Sequence, residues 1–507
     1  MMNETPLAAL DARVAAVNDV LNATSVLTWD SRTMMPPGGA ETRGQQIATL
    51  TRVARDLLLS PETETALEAA EKVVESFGQD SVEGRMVAQV RQAFDHHSRV
   101  PASLIQQRAA LRTVAQAAWI DARAKSDFSI FAPHLEKTVA LARQYADCIG
   151  WSAHPYDAMV AIYEPGETAA SLARLFANLR TGLQPILEVA RARPAPRSDF
   201  LLADFSEDRQ RAFGLGMAAK LGYDFTRGRL DTTIHPFEVS FTRNDVRITT
   251  RYTRNYLPAS LFGTAHETGH GLYEQGVEPR YTRTAFTTDL IGLYAVGGTS
   301  FGAHESQSRL WENHIVRSQT FWKLHFGELQ SQFPEQLGDV NAEEFYRAVT
   351  RVAPGFIRVE ADELTYDFHI MLRVELECAL MDGSLAVSDL PAAWNAAIKR
   401  DLDLDVPDDA RGVLQDVHWS TGYIGSFPTY TIGNVMAAQL METLRAEDPS
   451  LDAAIEAGDY ARLAEALRGR IWQHGRRFGR DELLQRETGR GLDPAPYLAY
   501  LRGKYAG

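Results

Sequence analysis

Residues 258–276 read PASLFGTAHETGHGLYEQG. Pro at the front and Gly at the end are the punctuation of a helix, and Leu261, Ala265 and Leu272 supply an apolar stripe between them. On such a helix His266 and His270 stand one turn apart on a single face, separated by about 6 Å of rise, so both imidazoles can reach one ion. Glu267 then lies beside that ion rather than on it. An ion held by two histidines and a carboxylate keeps a position for water and lowers the pKa of that water to about 7. Glu267 can take the proton and pass it to a leaving amine, a general acid–base role that typically contributes about 10²–10⁴-fold. Gly263, Gly269 and Gly271 each cost about 1 kcal/mol against Ala in a helix interior, which predicts that something approaches this backbone closely.

A third ligand has to come from elsewhere. Six residues after His270 the chain has Gly276, so no further histidine completes the set. Glu274 is about 12 Å of rise from His266, too far for three side chains of one straight helix to converge. The next helical stretch, FGAHESQSRLWENHIVRSQ at 301–319, opens behind Gly-Gly-Thr-Ser, which offers capping residues. It carries Glu305 in its first turns and Glu312 two turns later. Glu305 is the better ligand by position, because Glu312 sits beside Arg309 and Trp311 on a stretch that reads as surface. Asp289 remains the alternative.

The rest of the chain reads as mainly α. Apolar residues recur at helical spacing from residue 4 to about 224, and again from Pro258 to the C-terminus. Between them IHPFEVSFTRNDVRITTRY, residues 234–252, alternates Phe237, Val239 and Phe241 with Val246 and Ile248 around a turn-like RND, a hairpin with one buried face. An exposed strand there could pair with an extended peptide; core packing is the plainer expectation for Val246 and Ile248 themselves. Residues 401–430, DLDLDVPDDARGVLQDVHWSTGYIGSFPTY, form a long irregular piece of the kind that is usually functional. No repeat of fixed period and no Ser/Gly-rich linker is present, so residues 1–507 are expected to form one large unit. Its parts are a helical region over 1–230 and the hairpin, metal site and C-terminal helices over 231–507.

Composition narrows the function. A formal charge of -14 argues against nucleic acid, whose phosphates need clustered Lys and Arg, and is no obstacle to a cation. Cys148 and Cys378 are too few for a disulfide framework and fit a reducing compartment. The first residues have charges through their apolar positions, so they read as an amphipathic helix and not a signal peptide. No run of about 18 apolar residues occurs, so no membrane span is expected. A cytoplasmic protein is inferred.

At these motifs the chain resembles the M32 family of metallocarboxypeptidases. The likeness covers LTWDSRTMMPPGGAETRG at 27–44, HPF at 235–237, DVRIT at 245–249, HETGH at 266–270, HESQ at 304–307, IRVEAD at 357–362, GVLQ at 412–415 and TGRGLDPAPYLAYLRGKY at 488–505. It implies a single, nearly all-helical, neurolysin-like zincin fold with a deep substrate groove, a small sheet at its edge, and a homodimer. It implies that His266, His270 and the HESQ glutamate, Glu305, bind Zn2+, with Co2+ or Mn2+ able to replace it, and that Glu267 is the base. The resemblance thereby favours Glu305 over Glu312. Arg358 of IRVEAD becomes the group that binds the free carboxylate of a peptide substrate, which a guanidinium does through two parallel hydrogen bonds. On its own, Arg358 reads as an ion-pair partner of Glu360 or Asp362, and Asp362 as the cap of the helix that follows.

Gln415 of GVLQ joins the substrate-binding set. Oxyanion donors are sought in DVHWSTGYIGSFPTY, at His418, Tyr423 and Tyr430, on a loop whose glycines suggest movement. Relatives have G-Y-F-P-T-Y there, so Ser426 replaces a tyrosine; Tyr430 keeps the matching position and Tyr423 substitutes for the missing ring. The segment between His270 and His304 is longer than the family pattern, with TAFTTDLIGLYAV at 284–296 as the added length. The expected activity is zinc-dependent release of C-terminal residues from peptides, broad in preference and poor with C-terminal Pro. The rivals are an endopeptidase or dipeptidase on the same scaffold, or a non-catalytic peptide-binding homologue.

Overall fold

The computed structural model describes residues 5–507. Packing divides them into two compact units, each drawn from three stretches of chain. One takes the stretch ending at Ser98, Pro196–Val349 and Leu440–Gly491; the other takes Arg99–Ala195, Thr350–Gln439 and Leu492–Gly507. Because the chain passes between the units repeatedly, no single linker marks a boundary in the sequence.

The first unit begins with helix Pro6–Thr33, capped by the Thr5 hydroxyl, which accepts from the Ala8 amide. Its buried residues Leu10, Val14, Val17 and Leu21 recur every three or four positions, one face of a helix. That stripe meets Leu67 and Ala70 of helix Pro61–Val74 and Val87, Val90 and Phe94 of helix Val82–Arg99. Residues 284–296 contribute to the same core through Ala285, Leu290 and Ala295.

The hairpin predicted at 234–252 is present as β2 (Glu238–Thr242) and β3 (Asp245–Thr250), antiparallel. A strand outside that prediction, β1 (Gly228–Thr232), pairs parallel with β3, so the sheet runs β1-β3-β2. Leu230, opposite Ile248, is buried with Val246 and Ile248. The buried face lies on helix Pro258–Gly276, where the Thr264 hydroxyl donates to that of Thr250 at 3.0 Å. On the sheet, the Arg247 and Arg229 guanidiniums stand 4.5 and 5.2 Å from the centre of the Trp29 ring, cation–π contacts that fasten the end of the first helix.

The second unit is helical. Leu172, Phe176, Leu179 and Leu183 of helix Ala169–Ala192 and Leu364, Phe368, Met371 and Leu372 around helix Tyr366–Asp382 fill one core. The last helix, Ala495–Tyr505, is tied to that core by buried carboxylates: Tyr497 donates to Asp367 and Tyr505 to Glu363, each at 2.7 Å. Among the described residues no helix is long and apolar enough to cross a membrane.

Candidate metal centre

The histidine helix spans Pro258–Gly276, the bounds predicted by its Pro and Gly. Gly269 has the steric reason anticipated for these glycines: a Cβ there would meet the Gln307 carbonyl oxygen at 2.5 Å and Ser308 Cα at 2.6 Å, so only glycine lets helix Phe301–Arg309 pass this close. Gly263 has no such reason, because the nearest atoms to its Cβ lie at ordinary contact distance, 3.8 Å. The crossing helix starts at Ser300, whose hydroxyl accepts from the Ala303 amide. Its first turns therefore sit against the histidines.

The crossing brings together one set of groups suited to a metal: His266, His270 and Glu305, with one ligand atom of each within 4.8 Å of the others. Glu305 Oε2 is 3.6 Å from His266 Nε2 and 3.3 Å from His270 Nε2. Two ligands each about 2.0–2.1 Å from a tetrahedral ion stand about 3.3 Å apart, so these spacings fit a zinc-sized cation. The other atoms of the three side chains are already engaged. Arg309 Nε donates to Glu305 Oε1 at 2.7 Å, His266 Nδ1 to Glu312 Oε2 at 2.9 Å, and His270 Nδ1 lies 2.5 Å from His304 Nδ1. Glu305 Oε2 accepts from Ser308 Oγ at 3.3 Å and faces the Nε2 atoms of both histidines.

For His266 burial is outweighed by Glu305 and Glu312, and the imidazole is held above its ordinary range. Burial pulls His270 down to about 3 despite its hydrogen bond with Glu305, leaving the neutral imidazole that a metal requires. For Glu305 burial is outweighed by Arg309 and the two histidines, and the carboxyl is held far below its ordinary range. Glu267, buried on the adjacent position of the helix, is pushed up to about 7, chiefly by burial. A cation bound at the three ligands draws it back down.

Glu312 corrects the sequence reading. It is buried, not on a surface stretch, along with the whole turn Leu310–Val316, a π-helical segment that continues the Glu305 helix. Arg317 donates to its Oε1 at 2.9 Å while its Oε2 accepts from His266. Widening to π geometry shifts every side chain after Arg309 relative to an α-helix, which spacing cannot foresee. Asp289 serves a turn instead: its Oδ1 accepts from the Ile291 and Gly292 amides. Glu238 of β2 was also missed. Its Oε1 is buried without a hydrogen-bond partner, its Oε2 lies 4.0 Å from His304 Nε2, and burial with Glu274 and Glu267 nearby raises its pKa well above the usual range.

In the second unit the structure gathers Arg358, Tyr366, Arg373, Asp416, His418 and Tyr430. Arg358 is buried and pairs with neither Glu360 nor Asp362. Its Nε and Nη2 donate to Asp416 Oδ1 at 3.0 and 2.8 Å, and its Nη1 to the Tyr366 hydroxyl at 3.0 Å. Arg373, fully buried on helix Tyr366–Asp382, donates from Nε to Asp416 Oδ2 at 2.6 Å. Burial pulls Arg373 down only to about 10, so both guanidiniums are charged at neutral pH. Burial also lowers His369 and His418 to about 3. Two cations thus share one carboxylate, leaving one positive charge over.

Tyr430 has its hydroxyl 3.2 Å from His418 Nε2 and its ring 5.1 Å from the Arg358 guanidinium. Tyr423 instead packs on Tyr163, with the Arg112 guanidinium 5.7 Å from its ring centre. Gln415 holds backbone: its Oε1 accepts from the Arg358 amide at 2.8 Å and its Nε2 donates to the Phe356 carbonyl at 2.9 Å. Asp362 accepts from the Leu364 and Thr365 amides, capping the turn just before the helix. Ser426 closes a turn by donating to the Tyr423 carbonyl. Gly425 of this loop meets a steric need: it has φ of 93° and a Cβ there would strike the Met159 backbone at 2.6 Å. Glu377, buried beneath this loop, accepts from Trp419 Nε1, the Gly425 amide and the Tyr156 hydroxyl.

Comparisons with known proteins cover the whole architecture. Residues 9–505 match the family described as Carboxypeptidase Taq (M32) metallopeptidase. The chain is 38% identical over 495 residues to thermostable carboxypeptidase 1 of Thermus thermophilus, covering 95% of this chain and 94% of the relative. A crystal structure of an M32 carboxypeptidase from Deinococcus radiodurans superposes with a TM-score of 0.93 at 41% identity, over 98% of both chains. Trypanosoma cruzi metallocarboxypeptidase 1 does so with a TM-score of 0.92 at 34% identity, over 100% of both.

Proposed function

The chain belongs to the M32 metallopeptidase family and is a metallocarboxypeptidase, and from that premise we propose that it removes C-terminal residues from peptides by zinc-dependent hydrolysis at His266, His270 and Glu305. The observation that carries this reading is the convergence of two imidazole nitrogens and one carboxylate oxygen at ligand spacing. Zn2+, or Co2+ or Mn2+ in its place, supplies Lewis acidity there, lowering the pKa of water and polarising the scissile carbonyl. Glu267 takes the proton of the attacking water and returns it to the leaving amine. A carboxyl buried on the helix position next to a ligand is placed for both halves of that exchange.

The surplus positive charge of the Arg358–Arg373–Asp416 group supports Arg358 as the site for the terminal carboxylate of the peptide. Gln415 keeps the Arg358 backbone in place. Tyr430 and His418 are the oxyanion donors favoured by their mutual contact, with Tyr423 kept further off by its packing on Tyr163. Specificity is broad, with C-terminal Pro poorly released, and the enzyme works as a homodimer in the cytoplasm, where its two free cysteines remain reduced.

Mass spectrometry of a peptide mixture tests this. Ladders shortened from the C-terminus, formed only with metal and abolished by C-terminal amidation, are expected. Internal cleavage of amidated peptides at an undiminished rate would instead assign an endopeptidase.

A further inference from the structure

The two histidines of the metal centre are held from behind in different ways. His266 Nδ1 donates to a carboxylate, Glu312, whereas His270 Nδ1 meets another imidazole, His304, at 2.5 Å. A contact between two ring nitrogens at that distance requires one proton between them. His270 presents Nε2 toward Glu305, so as a neutral ligand it carries its proton on Nδ1. His304 Nδ1 must then be the acceptor, and a neutral His304 carries its own proton on Nε2. That nitrogen lies 2.9 Å from Glu274 Oε1. The Glu274 carboxylate also accepts from the Gly297 amide at 2.9 and 3.0 Å and from the Gly298 amide at 3.1 Å.

We propose that His304 and Glu274 form a directional relay, His270 Nδ1–H to His304 Nδ1 and His304 Nε2–H to Glu274, that fixes the tautomer of His270 and strengthens its grip on the metal. His304 is a positioning residue and not a ligand. The packing holds it to that task. Its ring is stacked on Tyr273, centroids 5.2 Å apart and 18° from parallel, and lies 4.6 Å from the His270 ring. Behind it the backbone is bare: a Cβ on Gly298 would fall 2.4 Å from His304 Cδ2, and one on Gly297 3.1 Å from Glu274 Oε2. The Gly-Gly pair is therefore both the amide donor to the far end of the relay and the space the imidazole occupies. An oriented partner behind a ligating histidine raises its basicity, and losing such a partner typically costs about 10–100-fold in metal affinity.

The inference rests on the metal-centre reading, and the test separates the two. Full-length apoprotein is titrated with Zn2+ in competition with a chromophoric chelator, for wild type, His266→Ala, His304→Leu, His304→Asn and Glu274→Gln. His304→Leu is expected to weaken binding by about 10–100-fold. His304→Asn, whose amide oxygen can still accept from His270, recovers part of the loss. Glu274→Gln, nearly isosteric and so folded even where a His304 variant is not, weakens binding by less than His304→Leu. Nitrogen-15 spectra of the imidazoles are expected to show the His304 proton on Nε2. A proton on Nδ1 of His304, or Zn2+ affinities of both His304→Leu and Glu274→Gln within about twofold of wild type, overturns the relay alone. A wild type that binds no Zn2+, or binds it as tightly after His266→Ala, overturns the metal centre first.

Discussion

The metal centre and the Arg358 cluster are both buried polar sites, yet they are built in opposite senses. At the metal centre every proton donor is turned outward, to Glu312 or His304, and what faces inward is a set of lone pairs. In the arginine cluster the donors outnumber the acceptors, because Arg358 and Arg373 divide the two oxygens of Asp416. Leaving charge or lone pairs unmatched in a buried place is costly. The two sites are thus opposite in kind, one offering lone pairs and the other N–H donors.

The largest effects are expected where the inward-facing groups are removed. Chelation should abolish hydrolysis, and readdition of Zn2+ should restore it, followed by release of C-terminal amino acids. Glu267→Gln should bind metal normally while kcat falls by about 10²–10⁴-fold; a normal kcat with bound metal would remove Glu267 from the mechanism. In the arginine cluster, Arg358→Lys keeps the charge and loses the two-pronged geometry. Its kcat/KM for peptides with a free C-terminus should fall by about 10²-fold, a loss of charge-assisted hydrogen bonds of about 2–3 kcal/mol. A kcat/KM within about twofold of wild type would show that Arg358 shapes the loop and does not bind the carboxylate.

The smallest effect concerns stability beneath the same loop. Burial raises Glu377 from 4.5 to about 7, against its three hydrogen bonds. Its protonated form is thus the one the fold favours, and the stability it contributes is complete below the unfolded value and lost as pH rises through about 7. Between pH 5 and 7 that loss is about 2 kcal/mol. Denaturant unfolding of Glu377→Gln across this range should give a flatter profile than wild type; parallel profiles would mean that Glu377 stays charged throughout.

How legible each site was follows from how it is assembled. His266, Glu267 and His270 share one helix, and the geometry of a helix is fixed locally, so spacing alone aligned them. Glu305 against Glu312 could not be decided by spacing, since both lie on one continuous helical stretch and both reach His266. Glu312 read as surface because it sits beside Arg309 and Trp311, whereas Arg309 and Arg317 are half-buried counter-charges that let it be inside. His304 stood in plain view beside Glu305, but its partner Glu274 was noticed only to be rejected as a ligand. Arg373, one of several charges on its helix, carried no local mark of its pairing with Asp416. β1 was missed because its pairing is parallel and reaches across the hairpin, with no turn of its own to announce it.

From its amino acids alone this protein was determined to be mainly helical, to carry a hairpin within 234–252 and a pair of histidines aimed at one ion, because periodicity, capping and i,i+4 spacing act within a few turns of chain. Only the tertiary structure decided what stands behind those histidines and beside Arg358. Such partners are chosen by burial, since a charge or ring nitrogen removed from water must find its complement wherever the fold brings one within about 3 Å, however far away it lies in the sequence.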